Sequence, residues 1–184
     1  MKPVLVLYAS THGHTARIAT RIAEALEHVG AMVDLRRVDP EDDPFPPEYA
    51  AVVVGGSIHA GHHQRELVAW ARRHATSLNA MPSAFFSVSL SAADDTGEAR
   101  TATRKYVDDF IEETGWAPRR TISFAGALQY LEYDFFTRLL IKIMMHRGGH
   151  PTDSRHDHDF TDWDAVWRFG REIAGMVVAP TTVP

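Results

Sequence analysis

The chain has 184 residues, no cysteine, and a formal net charge of −5 when its 11 histidines are counted as neutral. This length suits a single domain with a substantial core, and the lack of cysteine excludes disulfides, thiolate nucleophiles and cysteine-ligated metal centres. The acidic balance argues against nucleic-acid binding. The sequence shows neither a signal peptide nor a run of roughly 20 apolar residues that could span a membrane, so we expect a cytoplasmic protein.

The first structural signal is a short apolar run, Pro3–Tyr8, which is typical of a central parallel strand. Apolar residues then recur at helical spacing from Ile18 to Val29, and Gly30 ends this helix. The turn between strand and helix is rich in hydroxyl groups and glycine, a composition that directs backbone N–H groups and the positive end of the helix dipole at one point. We predict a phosphate site formed by Ser10, Thr11, His12, Gly13, His14 and Thr15.

This first loop contains neither a Walker-A lysine nor the pattern Gly-x-Gly-x-x-Gly, which disfavours binding of nucleoside triphosphates and dinucleotides. The alternative is an ordinary βα turn with a capped helix. The elements predicted after the first helix are, in chain order, strand 32–38, strand 49–54, helix 67–79, strand 84–88, helix 97–114, strand 120–127 and a last helix that follows a capping box at 161–164.

Strands that alternate with helices predict an α/β protein with an open, doubly wound sheet of five parallel strands and helices on both faces. Ligands bind such sheets beyond the carboxyl ends of the strands. Two further loops rich in small residues follow the third and fourth strands, and we predict that they share one ligand site with the first loop. The second loop consists of Ser57, Ile58, His59, Ala60 and Gly61, and the third of Ser87, Val88, Ser89 and Leu90.

The three loops suit FMN. Because the first loop contains no lysine or arginine, a phosphomonoester there would be held by backbone amides and by the hydroxyls of Ser10, Thr11 and Thr15. The flat ring would lie between the second and third loops, whose backbone groups would bond its polar edge. No Gly-x-Ser-x-Gly motif indicates a serine hydrolase, and no acidic cluster after the first strand indicates a receiver domain.

The histidines suggest two roles. His59 and His62 lie in or beside the second loop, so they are candidates for proton transfer near the ring; no other catalytic group is apparent. A second group of histidines surrounds Gly148-Gly149, but no His-Glu-x-x-His motif is present, and we expect solvated loop histidines and no metal site.

The chain carries a long insertion, about 128–159, between the fifth strand and the last helix. Its first half, Tyr130–Arg147, combines aromatic and apolar residues with cations, so it either packs on the sheet, forms a dimer face, or lies in a membrane interface. We predict one domain over residues 1–178, with a tail at 179–184.

These features resemble the flavodoxin-like fold and, within it, the bacterial menaquinone-dependent protoporphyrinogen oxidase family. The fold-level resemblance rests on Ser10–Thr15 and the five-strand pattern. The family-level resemblance covers nearly the whole chain and rests on Gly56-Ser57-Ile58 with Gly61-His62, His74-Ala75-Thr76, Leu78-Asn79, Met81–Phe85, Ala125–Leu128, Ile141-Lys142, Gly148-Gly149, Thr152-Asp153, Thr161–Trp163 and Arg171–Ala174. Departures from the usual patterns are His12 and His14 in the first loop and His59 and Ala60 in the second.

The resemblance implies a strand order of 2-1-3-4-5, FMN as cofactor, and oxidation of protoporphyrinogen IX to protoporphyrin IX in haem biosynthesis. Electrons would pass to menaquinone or ubiquinone, so we expect peripheral association with the inner face of the cell membrane. Arg138, Lys142 and Arg147 would meet anionic headgroups there. Two alternatives stay open: a flavodoxin-like single-electron carrier and a general FMN quinone reductase. A homo-oligomer is possible.

Overall fold

A computed structural model describes residues 2–128 and 158–177. The predicted membrane-facing segment Tyr130–Arg147, the histidines at 146, 150 and 156, and the predicted tail lie outside the described residues. Within the described ranges, no helix is both long enough and apolar enough to cross a membrane.

The described elements alternate between strands and helices along most of the chain. In chain order they are β1 (Val4–Ala9), α1 (His14–His28), β2 (Val33–Arg37), β3 (Ala51–Ser57), α2 (Arg65–Arg73), α3 (Ala75–Asn79), β4 (Ser83–Ser89), α4 (Gly97–Thr114), β5 (Arg120–Ala125), β6 (Ala127–Leu128), β7 (His158–Asp159) and α5 (Trp163–Val177). Short 3-10 turns lie at Pro46–Glu48 and Ser91–Ala93.

Strands β1 to β5 form one parallel sheet in the order β2-β1-β3-β4-β5, which confirms the predicted topology. Because side chains alternate across a strand, each central strand supplies two separate cores. Val4 and Val6 of β1 belong to the core beneath α1 and α5, whereas Leu5 and Leu7 belong to the core beneath α2, α3 and α4. Helices therefore cover both faces of the sheet, as the apolar runs of the central strands predict.

Charged side chains on and beside the edge strand β2 form a network of ion pairs. The Arg36 guanidinium donates hydrogen bonds to both carboxylate oxygens of Asp34, at 3.0 and 2.8 Å, and lies 2.9 Å from Asp42. The buried Tyr49 hydroxyl donates to Asp34 at 2.8 Å. These contacts, that from Arg36 above all, hold the pKa of Asp34 below its usual value.

Two boundaries differ from the sequence-based predictions. The predicted helix 67–79 is two helices, because the backbone at His74 leaves helical geometry (φ −101°, ψ 7°) while its side chain contacts Asp43 at 2.8 Å. The fifth strand ends at Ala125 rather than at residue 127. The Gly126 N–H makes a last bond to the Ser89 carbonyl, and β6 then pairs antiparallel with β7 in a separate ribbon.

The predicted capping box at the start of α5 is wrong in its details. Asp162, rather than Thr161, accepts the cap hydrogen bond, which the Ala165 N–H donates at 2.9 Å. The Thr161 hydroxyl instead donates to the Ala125 carbonyl at the end of β5, at 2.7 Å. Thr161 therefore joins the start of α5 to the sheet.

Helices α1 and α5 approach each other closely at Gly170. A Cβ added to this glycine would lie 2.7 Å from the Ala25 Cβ and 2.9 Å from the Ile22 carbonyl oxygen. Real Cβ atoms almost never approach so closely, and backbone cannot move aside cheaply. Only glycine fits at this crossing without separating the two helices.

We predict that Gly170→Ala destabilises the protein by about 1–3 kcal/mol, because the added methyl overpacks the helix crossing. Gly175→Ala is the matched control. It lies in the same helix with nothing within 4 Å of an added Cβ, and it should stabilise the helix by up to about 1 kcal/mol. Urea unfolding measures both. Equal effects of the two substitutions would contradict the close approach.

Candidate functional site

The pairing register brings the three predicted loops to one place. Ala9, at the end of β1, pairs with Gly56 of β3, and Gly56 pairs with Ser87 of β4. The loops that follow these neighbouring parallel strands therefore emerge side by side at the carboxyl edge of the sheet. The structure thus brings together the residues that the sequence grouped, while their binding role stays a prediction.

The first loop has the geometry of an anion site. Gly13 precedes α1 with φ +85°, a left-handed conformation that glycine adopts freely. Its N–H donates to the Ser10 Oγ at 2.9 Å, but no side chain caps α1 and no acidic residue lies in its first turn. The first N–H groups of a helix have no intrahelical acceptor, so the positive end of α1 is uncompensated within the described residues.

Residues of the first loop differ in exposure. Ser10, His14 and Thr15 are buried, whereas Thr11, His12 and Gly13 are exposed. The sequence showed no cation in this loop, but the structure supplies one from β2, because Arg37 Nη2 donates to the Ser10 carbonyl at 3.3 Å. The guanidinium of Arg37 therefore lies beside the first loop, which the sequence pattern did not reveal.

The second loop turns tightly at His59–His62. The N–H of each of these two histidines donates to the carbonyl of the other, at 2.9 and 3.1 Å. The two residues between them, Ala60 and Gly61, both have positive φ, as in a type I′ turn. Ile58 N–H donates to the Val88 carbonyl at 2.8 Å, which fixes the second loop against β4.

Both histidines of this turn are exposed at the rim of the three loops. The His59 ring lies 6.4 Å from the His12 ring, centroid to centroid, so the first two loops meet there. The proposed part of His59 and His62 in proton transfer stays a prediction. No cluster of metal-ligating residues is present in the described part of the chain.

Serine side chains of the third loop are already engaged within the protein. Ser87 Oγ lies 3.0 Å from His63 Nε2, and Ser89 Oγ accepts a hydrogen bond from the Ala92 N–H at 3.3 Å. Both serines and Val88 are buried, and Leu90 is partly buried. Each of the two serine hydroxyls thus has at least one partner within the protein.

Gln64 is a residue that the sequence analysis missed. Its Nε2 donates to Ser57 Oγ at 2.6 Å and reaches Thr11 Oγ1 at 3.4 Å, so it links the second loop to the first. Its Oε1 is buried and has no partner among the described residues. Gln64 lies just before α2, where no local pattern marks it as a bridge between loops.

His14 ties the first loop to the far end of the chain. Its Nε2 lies 2.7 Å from Thr161 Oγ1 and 3.7 Å from Asp159 Oδ1, and its ring meets the edge of Trp163. Burial lowers the pKa of His14, and Asp159 only partly opposes this effect. Nδ1 is buried without a partner in the described residues, a state that costs about 1–3 kcal/mol.

His63 supports the third loop from beneath. Its ring is buried between Phe85 and Phe110, with centroids 5.2 and 5.1 Å away. Burial lowers the pKa of His63 to about 4, because the cationic form would lose its hydration in this aromatic environment. The neutral ring bonded to Ser87 is therefore the form that the fold requires near neutral pH.

We predict that this histidine makes the protein less stable in acid. Below pH 6.5 the unfolded chain takes up a proton that the folded chain refuses until about pH 4, so the free energy of unfolding falls across this window. Between pH 7 and 5 the wild type should lose about 2 kcal/mol more than His63→Gln, which cannot titrate. Urea unfolding at both pH values measures the difference. Equal losses of unfolding free energy by the wild type and His63→Gln would contradict the low pKa of His63 in the folded protein.

Known proteins resemble this chain in sequence and in fold. Residues 5–155 match the family model described as a flavodoxin domain. A flavodoxin from the domain Archaea aligns with a TM-score of 0.55 and 18% identity over 96% of this chain and 99% of that one. Flavodoxin 1 of Bacillus cereus aligns with a TM-score of 0.55 and 14% identity, over 93% of this chain and 96% of that one. These structures agree with the fold observed here.

Two sequence relatives are closer. A protein of Escherichia coli strain K12 named protoporphyrinogen IX dehydrogenase [quinone] is 38% identical over 178 residues, which cover 96% of this chain and 97% of that protein. A protein of the same name from Leishmania major is 36% identical over 95% of this chain and 76% of its own length. The chain therefore belongs to the flavodoxin-domain family, and its similarity to these dehydrogenases extends over nearly its whole length.

Proposed function

We propose that this protein is an FMN-dependent dehydrogenase that oxidises protoporphyrinogen IX to protoporphyrin IX in haem biosynthesis, with menaquinone or ubiquinone as electron acceptor. The observation that carries the proposal is the 38% identity to the Escherichia coli relative over 96% of the chain. That alignment is too long to be confined to the sheet, and its extent indicates a shared activity rather than a shared fold alone.

The described residues fit FMN. An uncapped α1, the left-handed Gly13 and the buried hydroxyl residues Ser10 and Thr15 suit a phosphate group. In the same loop, His14 Nδ1 is buried and has no partner among the described residues, so a polar group of a ligand could bond to it. The second and third loops, joined by the bond from Ile58 to Val88, would hold the ring.

The protein's own residues have separate tasks in this mechanism. When bound, FMN would supply the redox chemistry that couples oxidation of the porphyrinogen to reduction of the quinone. First-turn amides of α1 and the Thr15 hydroxyl would hold the phosphate, and backbone groups of the second and third loops would orient the ring. His59 and His62, exposed at the rim, transfer protons released by the substrate to solvent.

The test is oxidation of the proposed substrate. Purified protein loaded with FMN and mixed anaerobically with protoporphyrinogen IX and a menaquinone analogue should produce porphyrin fluorescence well above the rate without protein. Fluorescence at the background rate would contradict the proposal. Turnover of quinones with NAD(P)H instead would identify a general quinone reductase. Strong accumulation of one-electron-reduced flavin in a reductive titration would support a single-electron carrier.

Two threonines of α1 provide matched variants for this assay. Thr15→Val removes a buried hydroxyl from the first loop and should weaken FMN binding by about 1–3 kcal/mol, which is roughly 5- to 150-fold. Thr20→Val removes an exposed hydroxyl that donates to the Ala16 carbonyl within the same helix, and this variant should bind FMN as the wild type does. Equal affinities of the two variants for FMN would show that the Thr15 hydroxyl does not contribute to binding of the phosphate.

A quinone acceptor dissolved in the bilayer requires contact with the membrane. We propose that the protein associates peripherally with anionic lipid through the segment Tyr130–Arg147, whose cations would contribute roughly 1 kcal/mol each near the surface. Wild type should sediment with anionic vesicles at low salt, and the double variant Phe136→Ser with Lys142→Glu should not. Lys105→Glu, which reverses an exposed charge on α4, is the control. Equal sedimentation of all three proteins would contradict this proposal.

A further inference from the structure

The hydrogen bonds around His14 fix the position of its ring protons. The Thr161 hydroxyl has one hydrogen, and it donates that hydrogen to the Ala125 carbonyl at 2.7 Å. Thr161 Oγ1 is therefore an acceptor toward His14 Nε2, 2.7 Å away, so Nε2 carries the ring hydrogen. In the neutral ring, Nδ1 then carries a lone pair and no hydrogen.

That lone pair is buried in the first loop. His14 is only 6% exposed, and Nδ1 has no hydrogen-bond partner in residues 2–128 and 158–177. Because the contact with Thr161 pins the opposite side of the ring, the ring cannot flip without losing the Nε2 bond. Any group beyond the described residues that bonds to Nδ1 must therefore bring a hydrogen.

A phosphomonoester in this loop lacks that hydrogen at neutral pH. Its second pKa is about 6, so above pH 7 the phosphate is mainly a dianion whose oxygens are all acceptors. An acceptor oxygen and a bare Nδ1 repel each other unless a proton lies between them. We propose that His14 binds the FMN phosphate through a proton held between Nδ1 and a phosphate oxygen, and that FMN binding near neutral pH takes this proton from solvent.

The surrounding charges are consistent with such an exchange. Asp159, before α5, lies 3.7 Å from Nε2 and stabilises a positive ring, while Arg17 on α1 opposes it and itself pairs with Asp159 at 3.5 Å. Arg37 reaches the first loop from β2 at the Ser10 carbonyl. Burial lowers the pKa of His14, so the proton is absent before binding; the two charges of the phosphate then favour its uptake.

This inference rests on FMN binding, which is part of the proposed function. Calorimetric titration of the wild type at pH 7.5, in two buffers of different ionisation enthalpy, counts the protons exchanged. FMN should take up close to one proton, and riboflavin, which lacks the phosphate, close to none. By linkage, affinity for FMN should fall up to about tenfold per pH unit above neutrality, while affinity for riboflavin should not.

Two histidines of α1 provide the variants. His14→Asn presents an amide donor that cannot titrate, so it should bind FMN with little proton uptake and little pH dependence. His28→Asn alters the far end of α1, where the ring packs against Trp167, and it should behave as the wild type does.

The outcomes are distinct. FMN binding by the wild type without proton uptake would overturn the role of His14 and leave the proposed function intact, and undiminished uptake by His14→Asn would do the same. A wild type that binds no FMN would overturn both. The comparison of FMN with riboflavin on the wild type decides the proposal even if His14→Asn does not fold.

Discussion

The parallel register of three adjacent strands is the constraint on which the candidate site depends. Ala9, Gly56 and Ser87 lie at one level across β1, β3 and β4. Both faces of these strands are buried beneath helices, so a slip of register would break the backbone bonds and misplace both cores at once. The three strands therefore end, and their loops begin, at the same level of the sheet. The closeness of the loops follows from the packing of the whole sheet rather than from contacts among the loops themselves.

A second layer of contacts turns neighbouring loops into a defined surface. Gln64 joins the first loop to the second, the bond from Ile58 to Val88 joins the second to β4, and His14 joins the first to Thr161. These bonds connect residues far apart in sequence. The local sequence around such a side chain can suggest a different role for it. Thr161 is the clearest case. Its position before a helix suggests a cap, yet the hydroxyl completes a chain of hydrogen bonds from β5 to the first loop.

Local patterns were sufficient to predict the sheet, its order by resemblance, and the grouping of the three loops, because apolar runs and glycine-rich turns are encoded within a few adjacent residues. The break at His74 was not predictable in this way, since a helical pattern continues through it and the contact that accompanies the break comes from Asp43. Likewise the first loop contains no cation of its own, and only the pairing of β1 with β2 brings Arg37 to it. Features that depend on tertiary contacts of single side chains were the ones missed.

The charged edge strand β2 has a consequence for how this molecule meets copies of itself. An edge strand presents unpaired backbone groups that can recruit a strand from another chain, a route to aggregation. Here Arg36 lies between Asp34 and Asp42, and Tyr49 anchors Asp34 from the interior. Charged side chains along an edge strand disfavour pairing with a strand of another chain, and β2 carries such charges. The charges of Asp34, Arg36 and Asp42 thus disfavour growth of the sheet at this edge.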